Sequence, residues 1–309
     1  RYLLRDDKGN PWTGAEAFTK LIAEDRVSVI IGTVMSSVSI AGAPIAQGKG
    51  IPMVSPTSTN PAVTMVGNCI FRACFIDPYQ GNVAAWYAIN HLKARTAACL
   101  FDTGDDFTKG LARTFRERFE GAGGIITAFE GYPSGTMDWS GQLSRIAESD
   151  PDVLFLPDYY DDAGRIARQA RGMGIRSQLI GGDGWDSPAL FELGFDAIEG
   201  GVFVNHYSYD ADNPLARDFA ASYRRKYGSW PDALAALGYE SAMIAVEAVR
   251  VAGSADPAAI REAMEDISFD SLLGPFRFDE NRNPVKAAVI LECVDGAAVY
   301  KTVVFPPGE

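Results

Sequence analysis

Strand-like and helix-like segments alternate through most of this sequence, and that rhythm restricts the fold more than any other feature. Thr13–Asp25 places Phe18, Leu21 and Ile22 at helical spacing. Val27–Gly32 then runs almost continuously apolar, as a parallel strand buried on both faces does. The same pairing recurs. Helices are predicted at 36–47, 79–92, 108–121, 139–147, 162–173 and 187–193. Strands are predicted at 51–54, 69–75, 96–101, 125–129, 153–156, 178–180 and 201–205. Three helices follow at 214–227, 232–252 and 257–264, and the tail reads as strands at 276–278, 288–293 and 299–303. Arg1–Arg5 reads as one more strand, before a turn over Asp6–Asn10. Repeated strand–helix units imply parallel sheets with helices on both faces. The nine or so strands before residue 206 exceed one small sheet, and 309 residues suit two domains. No Pro/Gly/Ser-rich linker divides the chain, so two lobes joined by several ordinary segments, with a cleft between them, are expected.

Composition removes whole classes of function. Lys plus Arg is 28 and Asp plus Glu is 40, a formal net charge of −12. Phosphate recognition needs clustered cations, so no nucleic acid partner is expected, nor docking on an anionic membrane surface. No apolar run is long enough to span a bilayer. The only histidines, His91 and His206, argue against a His-based metal site or a Ser-His-Asp triad. The cysteines, Cys69, Cys74, Cys99 and Cys293, are too scattered for a zinc site; buried thiols and a single Cys69–Cys74 bridge both remain open. The chain shows neither an initiating Met nor a signal peptide.

Catalytic signatures are missing. There is no Walker A loop, no H-E-x-x-H and no G-x-S-x-G. Gly121-Ala122-Gly123-Gly124 follows a predicted helix and precedes a strand, the reverse of a dinucleotide fingerprint, and reads as a cap and turn. Asp105-Asp106 and Asp161-Asp162 fall where helices begin, where negative charge is favoured. What remains is a series of polar loops at carboxyl ends of strands, where open α/β sheets bind ligands. Gly32–Ser37 opens a helix, and its hydroxyls and backbone N–H groups could hold an anion; the alternative is that Ser36 only caps its helix. Ser55-Pro56-Thr57-Ser58-Thr59-Asn60-Pro61 is a second hydroxyl-rich loop. Asp183 sits among Gly181, Gly182 and Gly184, where a carboxylate could hold an ammonium group; Asp186 or Ser187 reads as a helix cap. Phe107, Tyr159 and Tyr160 end other strands, with Trp185 and Tyr79 as further candidates for an apolar pocket wall.

The segments Ile51–Pro61, Phe71-Arg72, Tyr79-Gln80-Gly81, Gly181–Trp185 and Leu237-Gly238-Tyr239 resemble, in order and over essentially the whole chain, the periplasmic leucine/isoleucine/valine-binding proteins. These are the type I solute-binding proteins of branched-chain amino acid ABC transporters. The resemblance implies the type I periplasmic binding fold: two doubly wound parallel-sheet α/β lobes, joined by three crossings near 74–77, 205–208 and 274–276. Lobe 1 would hold 1–75 and 208–273, and lobe 2 would hold 76–207 and 274–309. The family's first strand has no counterpart, so residues upstream of Arg1 are expected. By resemblance, Ser36, Thr57 (through its backbone) and Thr59 would hold a ligand α-carboxylate. Asp183 would hold the α-ammonium where many members have Glu. Phe107, where a close member has Tyr, and Tyr159 would form the wall. The function implied is a non-enzymatic, monomeric carrier outside the cytoplasm, without cofactor or metal. It would capture a small, apolar or branched-chain amino acid by hinge closure and deliver it to a membrane permease complex. A sensor of the same fold for an amide or urea, and an enzyme acting in the cleft, are the competing readings.

Overall fold

The computed structural model describes residues 2–210, 213–272 and 274–305. The chain divides into two units, Arg1–Ile76 with Asp212–Lys286, and Asp77–Ala211 with Ala287–Glu309. Each is an α/β unit with its own sheet.

The first unit opens with α1 (Pro11–Ala23), β1 (Ile30–Ile31), α2 (Ser36–Gly48), β2 (Met53–Ser55), α3 (Ala62–Met65) and β3 (Ile70–Arg72). β1, β2 and β3 form a parallel sheet in that order. Alternation along the strands sends side chains to opposite faces. Met53 and Ile70 join Phe18, Ala43 and Ala46 in one apolar cluster, whereas Val54 and Phe71 join Leu237, Ile244 and Ile260 in another. Two faces are therefore covered by different helices, as a doubly wound sheet requires. Tyr2–Asp7 belongs to no strand, contrary to the expectation for Arg1–Arg5. The segment runs into the expected turn, in which Asp6 and Asp7 accept from the N–H groups of Lys8 and Gly9.

The second unit follows with α4 (Asp77–Asn90), β4 (Thr96–Asp102), α5 (Asp106–Gly121), β5 (Ile125–Tyr132), α6 (Ser140–Ser149), β6 (Val153–Leu156), α7 (Tyr160–Gly172), β7 (Gln178–Gly181), α8 (Pro188–Gly194) and β8 (Val202–Asn205). The chain then supplies α9 (Pro214–Tyr227), α10 (Ala233–Ala252), α11 (Pro257–Asp266), β9 (Phe269–Ser271) and β10 (Gly274–Phe276) to the first unit, and β11 (Ala288–Val294) and β12 (Ala297–Val304) to the second. The second sheet has the order β12-β11-β8-β7-β6-β4-β5, parallel from β8 to β5 and antiparallel at β11 and β12. Leu100, Leu154, Leu156, Leu179 and Phe203 form one buried face with Leu143, Ile166 and Leu190. On Phe155 the ring of Phe115 stacks at 4.1 Å.

Residues 274–286 stay with the first unit, whereas the sequence reading places them in the second. The cause is local pairing and packing. β10 pairs antiparallel with β9, a strand too short to be visible in the sequence. Phe276 and Phe278 pack together at 4.9 Å, and Phe278 lies 5.2 Å from Phe71. Lys286 Nζ donates to Ala73 O at 2.6 Å. All four cysteines are buried thiols, none in a disulfide. Among the described residues no helix is long and apolar enough to cross a membrane.

Candidate functional site

All six candidate residues follow the carboxyl ends of parallel strands. Ser36, Thr57 and Thr59 belong to the first unit, and Phe107, Tyr159 and Asp183 to the second.

In the first unit, the loop after β2 is bound to the loop after β1 through hydroxyls. Ser55 Oγ and Ser58 Oγ donate to Thr33 O at 2.9 and 3.0 Å. Ser39 Oγ bridges Thr33 Oγ1 at 3.0 Å and Ser58 Oγ at 2.8 Å. Ser36 is the first residue of α2 and does not cap it; Met35 occupies the cap. The Ser36 hydroxyl instead accepts from Asn60 N at 3.2 Å, joining the two loops. Thr57 Oγ1 donates to Val34 O at 3.0 Å, so its side chain is used within the protein. Thr59 differs: it is fully buried, and its Oγ1 has no hydrogen-bond partner among the described residues. Beneath the loop lies Arg72, also fully buried, whose guanidinium donates to Ser58 O, Asn60 O and Thr64 Oγ1. A buried cation, a helix N-terminus and several hydroxyls make this a neighbourhood suited to an anion. Arg72 sits in a motif visible in the sequence, but its depth is a tertiary fact.

In the second unit, Asp105 caps α5 by accepting from Phe107 N at 2.9 Å and Thr108 N at 3.1 Å, which seats Phe107 in the first turn. Tyr159 is the cap residue of α7, with Asp161 and Asp162 in its first turn. The two rings meet at 5.1 Å and 40°. The Asp pairs thus stand at helix starts, and Ser187 caps α8. The Tyr159 phenol is pushed well above its usual range, first by burial and then by Asp105, Asp183, Asp77 and Asp161. Trp185 and Tyr79, the further wall candidates, each make a hydrogen bond within the second unit. Trp185 is fully buried in the core with Nε1 donating to Leu156 O at 3.0 Å, and Tyr79 donates its hydroxyl to Val304 O at 2.7 Å.

Asp183 begins a short 3-10 turn after β7, and its side chain is 10% exposed. Gln80 of α4 grips it twice: Nε2 donates to Oδ1 at 2.9 Å, and Oε1 accepts from the Asp183 N–H at 3.1 Å. Gly182 makes that grip possible, because a Cβ there would stand 2.3 Å from Gln80 Oε1. Gly184 lets the same turn approach Phe107 and Tyr159, whose nearest atoms would lie 3.2 and 3.3 Å from a Cβ. The other carboxylate oxygen, Oδ2, lies 2.9 Å from Nε2 of buried His206, which follows β8. Sequence reasoning uses His206 only in arguing against a metal site or a catalytic triad. Gln80 lies in the Tyr79-Gln80-Gly81 segment that carries the resemblance, but no local pattern points it at Asp183, and His206 carries no signal beyond its position at a strand end. The result is an oriented carboxylate beside two aromatic rings. Among the described residues no group of three or more His, Cys, Asp or Glu could hold a metal ion. A groove of about 580 Å³ runs along β1, lined by Leu3, Leu21, Val29 and Val249 among others, and none of the six candidates lines it.

The family model for periplasmic binding proteins matches residues 1–298, and the chain belongs to that family. It is a solute-binding protein of the type I architecture, not an enzyme. Three solved structures give the comparison its detail. The leucine binding protein LivK from Thermotoga maritima is 36% identical, with a TM-score of 0.96 over 99% of this chain and 88% of its own. The branched-chain amino acid transporter substrate binding protein LivJ from Streptococcus pneumoniae, in complex with isoleucine, is 28% identical, with a TM-score of 0.93 over 99% and 87%. An ABC transporter solute binding protein from Rhodopseudomonas palustris, in complex with 3,4-dihydroxybenzoic acid, is 25% identical, with a TM-score of 0.87 over 99% and 86%.

Proposed function

We propose that this chain is an extracytoplasmic solute-binding protein that captures a small apolar amino acid, of the branched-chain class, and delivers it to an ABC transporter permease. The observation that carries this reading is the division of chemistry. One unit offers hydroxyls and a helix N-terminus over a buried guanidinium, and the other offers an oriented carboxylate beside aromatic rings. A zwitterion with an apolar side chain needs those three groups. In this reading Ser36, Thr59 and the Thr57 backbone take the α-carboxylate, Asp183 takes the α-ammonium, and Phe107 and Tyr159 line the side-chain pocket. In this reading capture is a shift between open and closed forms, driven by a difference in ligand affinity between the two states. The likeness to the LivK and LivJ proteins supports the ligand class and the transporter partner.

Asp183→Asn keeps the shape of the side chain and removes its charge. Calorimetry with L-leucine is expected to show affinity lowered about ten- to a hundredfold, the worth of one charge-assisted hydrogen bond. Unchanged affinity would remove Asp183 from the site. The dihydroxybenzoate-bound relative favours a second reading, a carboxylate ligand without an ammonium group. A thermal-shift screen pairing all amino acids with benzoates separates the two.

A further inference from the structure

The Asp183 carboxylate has already received two protein donors, one from α4 and one from the end of β8. They differ in kind. The Gln80 amide is neutral at every pH. His206 is 3% exposed, its backbone N–H donates to Asn205 Oδ1 at 2.8 Å, and its ring Nε2 faces Asp183 at 2.9 Å. An ionised Asp183 requires Nε2 to carry its hydrogen, so the charge of the pair depends on the proton at Nδ1. With neutral imidazole the pair bears one negative charge. With imidazolium it bears none, and an arriving ammonium meets a carboxylate already neutralised.

The acids that act on the two phenols beside this pair, Tyr159 and Tyr207, come from several elements. Asp77 lies on α4 with Gln80, Asp105 and Asp161 stand at the starts of α5 and α7, Asp186 ends the 3-10 turn, and Asp210 follows β8. Their fields reach the two neighbouring phenols, Tyr159 and Tyr207, which burial already holds neutral. Histidine is the side chain among these that changes charge near neutrality.

We propose that His206 couples ligand capture to a proton: an α-ammonium seated on Asp183 displaces the Nδ1 proton of His206 to the buffer, and a ligand lacking an ammonium group selects the imidazolium form. The proposal rests on the amino acid reading above and assigns His206 as a specificity-determining residue of that site. By linkage, one coupled proton changes affinity by at most about tenfold per pH unit below the histidine titration.

The test is calorimetry of L-leucine between about pH 5.5 and 8, the histidine range, in buffers of contrasting ionisation enthalpy. Affinity is expected to weaken toward acid, with release approaching one proton per ligand at the acidic end. His206→Gln keeps an amide donor and cannot titrate, so proton release must vanish in it. The chain has only two histidines, and the His91 ring, stacked on Tyr87 at 4.8 Å, serves as an internal reference for imidazole NMR. In the unsubstituted protein L-leucine must lower the His206 titration midpoint and leave that of His91 in place, a result that stands even where the variant fails to fold. Flat affinity without proton exchange overturns the inference and leaves the amino acid reading intact, as does proton release that persists in His206→Gln. Failure of L-leucine and the other amino acids to bind at any pH in this range overturns both.

Discussion

Burial decides the behaviour of individual charges here more than sequence neighbours do. Tyr132 Oη lies 2.7 Å from Asp158 Oδ1 and 3.1 Å from Asp162 Oδ2, and a phenol has one hydrogen to give. Both contacts are satisfied when one of the two acids keeps a proton. Burial, foremost, pushes Asp158 well above the usual carboxylate range, against the lowering effects of Tyr132 and the Asp102 N–H, and it raises Asp162 too. The folded chain therefore holds protons more tightly than the unfolded chain. The stability this contributes is complete below the unfolded carboxylate value and is lost as pH rises through the folded one. Asp158→Asn imitates the protonated acid, so its melting temperature relative to the parent should climb from about pH 4 toward neutrality. Parallel melting curves across that range would disprove the assignment.

Elements were legible where local periodicity or turn chemistry specified them. The caps at Asn10, Asp105, Asn213, Asp232 and Asp256 all accept from N–H groups of their own helices. Asp295 and Gly296, both at positive φ, join β11 to β12 as the Asp-Gly turn predicts. Short elements were less legible, and the four-residue α3 has no counterpart among the predicted helices. Arg1–Arg5 has a strand's composition but no strand in Tyr2–Asp7, and β9 has only three residues, whose identity as a strand comes from its partner β10. The turn after β7 couples element geometry to the site. Gly182→Ala would drive a methyl into Gln80 Oε1 and release the double grip on Asp183. L-leucine affinity is expected to fall severalfold in calorimetry, and restoration of affinity by Gln80→Ala in the same chain would contradict the positioning role of Gln80.

At the scale of the molecule, the three places where the chain passes from one unit to the other matter most. On the side of the first unit these segments are held by polar side chains. Lys286, the last residue before the third passage, donates to Ala73 O ahead of the first. It also faces Glu240 of α10 at 3.9 Å, with both side chains nearly or fully buried. Asn213, just past the second passage, donates to Leu272 O at 3.0 Å. Burial raises the Glu240 carboxyl and Lys286 opposes that rise. Lys286→Met strands a buried carboxylate and a carbonyl, at a cost of about 3–5 kcal/mol. Urea unfolding should show that loss, and Glu240→Gln added to it should recover much of it. A single-variant loss below about 1 kcal/mol would mean that the pair contributes little.

By itself the sequence determined the α/β class, the alternation of elements and the positions that end parallel strands, because side-chain periodicity and cap residues act over a few neighbouring positions. It also marked the loops at those ends, within which the family resemblance singles out Ser36, Thr57, Thr59, Phe107, Tyr159 and Asp183. Only the tertiary structure decided that Asp183 is gripped by Gln80, 103 positions away, and faced by His206, 23 positions away. It alone showed that Arg72 lies fully buried beneath the hydroxyl loop, and that residues 274–286 stay with the first unit. Such pairings depend on how strands register and helices pack over the whole chain, a sum of many weak contacts that no local pattern records.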